Sequence, residues 1–401
     1  MTSWLQSLTP QLELRQQQNL YRQRLQTQSA QGTVIDIDDQ QLLNFSSNDY
    51  LGLANHPDVV NAFKNAVDSY GVGAGASHLV VGHHRLHHQL ETALAKFTGR
   101  DRAVLFSSGY MANLGVIQAL LGKRDFIVQD KLNHASLIDA GLDCGAKMLR
   151  YKHNDITHLQ QLLEKNLPEH GAGEISQRRL LAVDGVFSMD GDIAPLPQLL
   201  ELCEQYQLAL MVDDAHAFGV LGEHGGGCAE HFNLSQTQLP IVMGTLGKAF
   251  GVSGAFVAGS HALIETLVQF SRSYIYTTAL PPACAAAAYQ SLQLLQQPER
   301  RIQLRKSIAQ FRDGIAILGI PLGESSTAIQ PLIVGSSEQA LALSNALFEA
   351  GILVTAIRPP TVPVGTARLR VALSAAHSSD HIDQLLNTLE HALKKQSVIL
   401  R

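Results

Sequence analysis

Residues 245–254 read Thr245-Leu246-Gly247-Lys248-Ala249-Phe250-Gly251-Val252-Ser253-Gly254, and the lysine in this run decides how the chain folds. It stands between a strand-like stretch, Ile241-Val242-Met243-Gly244, and an apolar, glycine-punctuated one. That is a poor place for a solvated charge, and a lysine held there is suited to condensing with a carbonyl compound. Upstream, Leu208-Ala209-Leu210-Met211-Val212-Asp213-Asp214-Ala215-His216 ends an apolar strand with an acid and, three positions on, a histidine. A strand-end acid followed by a strand-end lysine is what pyridoxal 5′-phosphate (PLP) chemistry requires. The lysine condenses with the cofactor aldehyde, and the acid keeps the pyridine nitrogen protonated so that the ring withdraws electrons. Taken singly, Lys248 reads as a surface loop residue and Asp213 as a helix cap. Together, with Thr245 nearby, they read as a site.

Working outward, short apolar strands alternate with helical stretches to about residue 290. The strands are expected at 103–106, 125–128, 147–151, 180–183, 208–213, 241–245 and 255–258, with helices such as 112–121 and 156–165 between them. Alternation of this kind implies an α/β domain whose mostly parallel sheet is covered on both faces. Ligands on such sheets gather at the carboxyl ends of the strands, where Asp213 and Thr245 stand. Before this region, residues 9–28 carry leucines at Leu12, Leu20 and Leu25 and are expected to form an amphipathic helix, followed by short strands at 33–37 and 42–45. After Pro281-Pro282 come helices at 283–296 and 300–318. Strands at 329–334, 352–357 and 368–373 follow, with helices near 338–349 and 380–394. The expected division is an N-terminal segment 1–45, a large α/β domain 46–290 and a smaller α+β domain 291–401.

A chain of 401 residues exceeds what one core usually supports. With 45% apolar and 16% charged residues it is ordinary for a folded protein and wrong for disorder. A net charge of −5 exerts no overall pull on nucleic acid, so a polyanionic ligand must be met by local cations. No apolar run reaches the roughly 18–20 residues of a membrane span. The opening Met1-Thr2-Ser3-Trp4-Leu5-Gln6 lacks the pattern of a secretory signal. Cys144, Cys203, Cys228 and Cys284 are scattered, which suits a reducing compartment. A cytoplasmic location is expected.

Several other segments carry chemistry beside a plainer reading. Phe106-Ser107-Ser108-Gly109-Tyr110-Met111-Ala112-Asn113 is a strand end, a turn and a helix start, where the free amides of Gly109 and Tyr110 suit a phosphate; alone it is a serine cap with a glycine. His134, in Asn133-His134-Ala135-Ser136, follows another strand and is either a ring that lies on a flat cofactor or an ordinary loop histidine. In Gly185-Val186-Phe187-Ser188-Met189-Asp190-Gly191-Asp192, Ser188 is placed to bond a cofactor, while Asp190 and Asp192 read as turn residues. His83, His84, His87 and His88 pair at i, i+4, but the glutamate of an HExxH helix is absent; they read as polar residues at a helix start, and no metal is expected. Gly222–Gly227 has no Walker lysine and reads as a flexible loop. Arg358, in Ala356-Ile357-Arg358-Pro359-Pro360-Thr361, is held by prolines and suits a carboxylate; its plain reading is a surface arginine.

These segments together resemble the α-oxoamine synthases, PLP enzymes of the aspartate-aminotransferase fold (fold type I). Asn44-Phe45-Ser46-Ser47-Asn48-Asp49-Tyr50-Leu51-Gly52-Leu53 adds to the likeness, as do the segments around His134, Ser188, Asp213 and Lys248. Thr327-Ala328-Ile329-Gln330-Pro331-Leu332-Ile333-Val334, Ala356–Pro363 and Gly365-Thr366-Ala367-Arg368-Leu369-Arg370 resemble the members that condense L-alanine with a pimeloyl thioester in biotin synthesis. Ala217-Phe218-Gly219 departs from the family's more usual small residues, as do the histidines of 78–88 where members vary.

The resemblance implies a large domain with a mostly parallel seven-stranded sheet and a smaller C-terminal α+β domain. It implies an acyltransferase that uses PLP, taking pimeloyl-CoA or pimeloyl-acyl carrier protein, and working as a homodimer. It further implies that Lys248 condenses with PLP and moves the Cα proton, that Asp213 pairs with the ring nitrogen, and that His216 bonds the ring hydroxyl. By the same likeness His134 stacks on the ring; Gly109, Tyr110 and Thr245 hold the phosphate or its surroundings; and Ser188 bonds the cofactor. Thr278 would reach a neighbouring subunit's phosphate, and Arg22, His134, Arg358 and Thr361 would meet the substrates. The sibling reading is a synthase that takes glycine and another acyl-CoA. A serine hydrolase built on Ser188 or Ser253 lacks a G-x-S-x-G elbow, and an inactive partner subunit would not need Lys248, Asp213 and His216.

Overall fold

The structure, a computed structural model, describes residues 3–167, 177–396, 398 and 400. Thirteen strands are present among them. In chain order they are β1 (Val34–Ile37), β2 (Gln40–Asn44), β3 (Arg102–Phe106), β4 (Phe126–Asp130), β5 (Lys147–Tyr151), β6 (Arg179–Asp184) and β7 (Ala209–Asp213). The rest are β8 (Ile241–Thr245), β9 (Ala255–Gly259), β10 (Ile329–Gly335), β11 (Ile352–Leu353), β12 (Thr355–Ile357) and β13 (Ala367–Ala372). The chain divides into two compact units, one of Leu51–Ser188 with Asp192–Arg301, the other of Met1–Tyr50, Met189–Gly191 and Ile302–Arg401.

The larger unit holds a seven-stranded sheet in the order β3-β9-β8-β7-β6-β4-β5. The pairs from β8 to β5 run parallel, and β9 alone runs against both its neighbours. Its strands read as unbroken apolar runs because both faces are covered. Val104, Ile127, Leu180, Met211, Met243 and Val257 pack on one side with helices Gly109–Leu120, Ala135–Asp143 and His261–Phe270. Their strand neighbours Leu105, Val128, Leu181, Val212, Val242 and Phe256 point the other way and are equally buried. Each such side chain contributes on the order of 1.5–3 kcal/mol.

Two glycines shape the turn that carries Lys248. A Cβ on Gly244, within β8, would meet the rings of Phe218 and Phe256 at 2.6 Å. Gly251, with φ of +69°, would press a Cβ to 2.3 Å from the Ala54 amide nitrogen. The first lets aromatic rings close over the strand. The second lets the chain double back after the lysine. The glycine-rich segment expected as a flexible loop folds about one acid: the amides of His224 and Gly226 donate to the Glu230 carboxylate at 2.7–3.1 Å. Backbone amides turned inward bind an anion, here supplied by the chain itself.

The smaller unit has two three-stranded sheets, ordered β1-β2-β11 and β10-β13-β12. The expected single strand over 352–357 is in fact two, β11 pairing with β2 and β12 with β13, with Val354 between them. That parallel β2–β11 pairing draws residues 1–50 into one body with the C-terminal region, whereas sequence order had set the N-terminal segment apart. The expected helix over 9–28 stops early. The structure has Ser3–Gln6 and Leu8–Gln17, and no residue of the second is buried. Without an apolar face to bury, the pattern past Gln17 has nothing to hold it helical.

Candidate active site

Eight of the expected residues surround one cavity of about 170 Å³ in the larger unit: Gly109, Tyr110, His134, Ser188, Asp213, His216, Thr245 and Lys248. The sheet explains why. Asp213 closes β7, Thr245 closes the adjacent parallel β8, and Gly109 opens the helix after β3. Parallel strands bring their carboxyl ends to one edge, so side chains distant in sequence meet there.

Lys248 is half-buried, and its Nζ lies 2.8 Å from His216 Nε2. Asp213 is 5% exposed and is held by neutral donors, Asn113 Nδ2 at 2.7 Å and the Ala215 amide at 3.1 Å. A buried carboxylate so placed calls for a positive partner from a ligand. Asp184, fully buried at the end of the adjacent β6, accepts the His134 amide at 2.8 Å. Desolvation, reinforced by the charge of Asp213, holds the Asp184 carboxyl well above the usual range. His134 caps its helix with its ring facing the cavity, Nδ1 2.8 Å from Ser136 Oγ. Burial of its inner side lowers its pKa, Asp213 opposes this and Lys248 adds to it; the outer side is exposed, which weakens the desolvation effect.

Ser108 caps the helix that starts at Gly109 by accepting the Met111 amide at 3.2 Å, which leaves the first amides free at its positive end. Thr245 Oγ1 accepts the Gly247 amide at 3.2 Å and donates to the Gly254 carbonyl at 3.1 Å, pinning the turn that carries Lys248. Tyr110 donates to Asp139 at the rim. An amine, a buried acid held by neutral donors, a flat imidazole and a helix N-terminus around one cavity fit PLP, which carries a carbonyl, a basic ring nitrogen and a phosphate.

Asn113 is the residue sequence reasoning passed over. It is wholly buried, and its Nδ2 bridges Asp213 Oδ2 and Ser136 Oγ at 2.7 and 2.8 Å. Its place one turn into the helix after Gly109 is visible in sequence, but its partner lies far along the chain. Asp184 was also passed over, and its strand-end position is the same signal that marked Asp213.

The remaining residues lie elsewhere. Arg22, Arg358 and Thr361 line a cavity of about 260 Å³ in the smaller unit. Arg22 donates to Thr361 Oγ1 at 3.1 Å, and Arg358 donates to the carbonyls of Asn19 and Tyr21. Burial, then the neighbouring Arg22 charge, lowers the Arg358 pKa. No acid lines this cavity, so two cations share it with two threonine hydroxyls and an anion would relieve them. Thr278 is exposed and lines neither cavity. Asp190 is more than a turn residue, since it pairs with the buried Arg368.

Residues 40–389 match the family of class I and II aminotransferases. The chain is 54% identical to an 8-amino-7-oxononanoate synthase of Hahella chejuensis over 97% of its length and 96% of the relative's. It superposes on a serine palmitoyltransferase of S. paucimobilis with a bound PLP–myriocin aldimine at a TM-score of 0.91 and 30% identity, covering 99% of each chain. An 8-amino-7-oxononanoate synthase of Francisella tularensis is matched at 0.75 and 34% identity, over 89% of this chain and 99% of that one.

Proposed function

The chain belongs to the class I and II aminotransferase family, and from that membership we propose how its residues share out one reaction. It is a PLP-dependent acyltransferase that condenses L-alanine with a pimeloyl thioester, giving 8-amino-7-oxononanoate, CO2 and free thiol in biotin synthesis. The observation that carries this is the meeting of Lys248 and the buried Asp213 around one cavity. Near-full-length identity to named synthases favours alanine and a pimeloyl group over the glycine-using sibling reading.

When bound, PLP accepts the electron pair released at the amino acid's Cα. The work of this chain's residues is to hold and to move protons. Asp213 supplies the negative charge that keeps a proton on the ring nitrogen, and Asn113 fixes the direction of its carboxylate. Lys248 Nζ takes the Cα proton and returns one to the same carbon, with His216 as its neighbour. His134 offers a flat ring to the cofactor, and Ser188 and Thr245 supply hydroxyls at the cavity wall. The free amides of Gly109 and Tyr110 receive the phosphate. Arg358 grips the amino-acid carboxylate, with Arg22 and Thr361 beside it, so that orientation supplies part of the rate. Thr278, exposed and outside both cavities, serves the phosphate of a second copy in a homodimer. Four free cysteines support a reducing, cytoplasmic setting.

Borohydride reduction of the protein carrying PLP, followed by peptide mapping, is expected to place the label on Lys248. Lys248→Ala is expected to fold, to bind PLP only non-covalently and to lose turnover by at least about 10³-fold. A label on another lysine, or near-normal turnover in that variant, overturns the assignment.

A further inference from the structure

The histidines at 83, 84, 87 and 88 have two different jobs. His84 and His87 are committed to starting helix Arg85–Thr98. His84 Nδ1 faces the Leu86 amide, and His87 Nδ1 accepts the His84 amide at 2.8 Å. His87 Nε2 also lies 2.6 Å from the Leu280 carbonyl, to which it donates. Both nitrogens of His87 are spent, so it has no lone pair for a ligand. His83 and His88 are left, both exposed, and Glu91 stands one turn further along the helix. His83 Nε2 is 3.9 Å from Glu91 Oε2, and the donor atoms of His83, His88 and Glu91 all lie within 4.8 Å of one another.

The surroundings orient these groups. His83 Nδ1 lies 3.0 Å from Nδ1 of His78, a ring stacked on Tyr274. When His83 Nδ1 donates there, its Nε2 is left as a bare lone pair, and an outer hydrogen bond of this kind is what sets a ligating imidazole. Glu91 Oε1 accepts the Leu105 amide at 3.1 Å, which leaves Oε2 toward His83.

We propose that His83, His88 and Glu91 bind one divalent first-row transition metal ion, zinc being the best match, with a fourth position open to solvent. None of the three lines the PLP cavity, so this site is separate from the reaction described above.

The test uses the PLP-loaded protein, stripped of metal by chelator and titrated with Co²⁺, whose d–d bands report tetrahedral coordination. One equivalent per chain is expected, displaced by Zn²⁺. His88→Ala and Glu91→Gln are each expected to weaken binding by at least about 10-fold, while His224→Ala, at an exposed histidine elsewhere, leaves it unchanged. His88 is exposed and Gln retains an acceptor for Leu105, so both variants are expected to fold, as unchanged cofactor absorbance checks. Absence of the cobalt bands in the wild type, or wild-type affinity in His88→Ala, overturns the proposal.

Discussion

Asn113 shows how much one amide can govern at the scale of a residue. It donates to Asp213 and to Ser136 with the same Nδ2, and its own Oδ1 is buried without a partner. An unpaired acceptor costs free energy, so the donor side must be worth keeping. Replacing Asn113 by Ala removes one charge-assisted hydrogen bond, worth about 1.5–3 kcal/mol. The expected result is a kcat lowered by about 10-fold or more, with weaker PLP binding, measured by steady-state kinetics and cofactor titration. Unchanged kcat in a folded Asn113→Ala protein would show that Asp213 needs no such support. Asp213 and Lys248 were legible in sequence because Asp213 ends an apolar strand and Lys248 stands in the turn just after another. Asn113 was not, because a buried polar residue inside an apolar helix looks the same whether it supports a site or merely packs.

Among the elements, the ends of β4 and β5 and the segment after β6 are tied by one imidazole. His153 Nδ1 lies 3.2 Å from Asp130 Oδ1 and its Nε2 lies 2.8 Å from Asp192 Oδ2. Asn154 joins the cluster, its amide donating to Asp130 and its Nδ2 to Asp192. Burial alone would lower the His153 pKa, but the hydrogen bonds and charges of Asp130 and Asp192 outweigh it and raise the value from 6.5 to about 10. The folded value lies above the unfolded one, so the imidazolium's contribution is complete below pH 6.5 and is lost as pH rises through about 10. Urea midpoints of the wild type and His153→Gln should therefore differ most in acid and neutral buffer, with the gap closing toward pH 10. A gap that widens with pH refutes the charged cluster. The strands themselves were visible in sequence to within a residue or two, because a covered parallel sheet needs uninterrupted apolar runs. The helix over 9–28 was misjudged, since leucine spacing shows an apolar stripe and not whether anything covers it.

For the whole molecule, the exposed apolar surface matters most. Leu79, Val80 and Val81 are 50%, 72% and 79% exposed on one short helical turn, His78–Gly82. In the proposed homodimer, this is the surface a second copy would cover. Light scattering is expected to return twice the 43.5 kDa chain mass, and Val80→Glu with Val81→Glu to shift the protein toward monomer and lower its activity. A wild-type monomer with full turnover would remove both the dimer and the role given to Thr278. Among the described residues no helix is long and apolar enough to cross a membrane.

Local order along the chain was enough to determine the alternation of strand and helix, the acid that ends β7, the lysine in the turn after β8, and the family they resemble. Those features depend on residues close in sequence, where a burial pattern or a turn leaves its mark directly. The tertiary structure alone decided which N-terminal strand joins the C-terminal unit, which amide steadies Asp213, and which two of four histidines are taken up in starting a helix. Most of those outcomes are pairings between distant residues, set by how hydrogen-bonding groups are satisfied once water has been excluded.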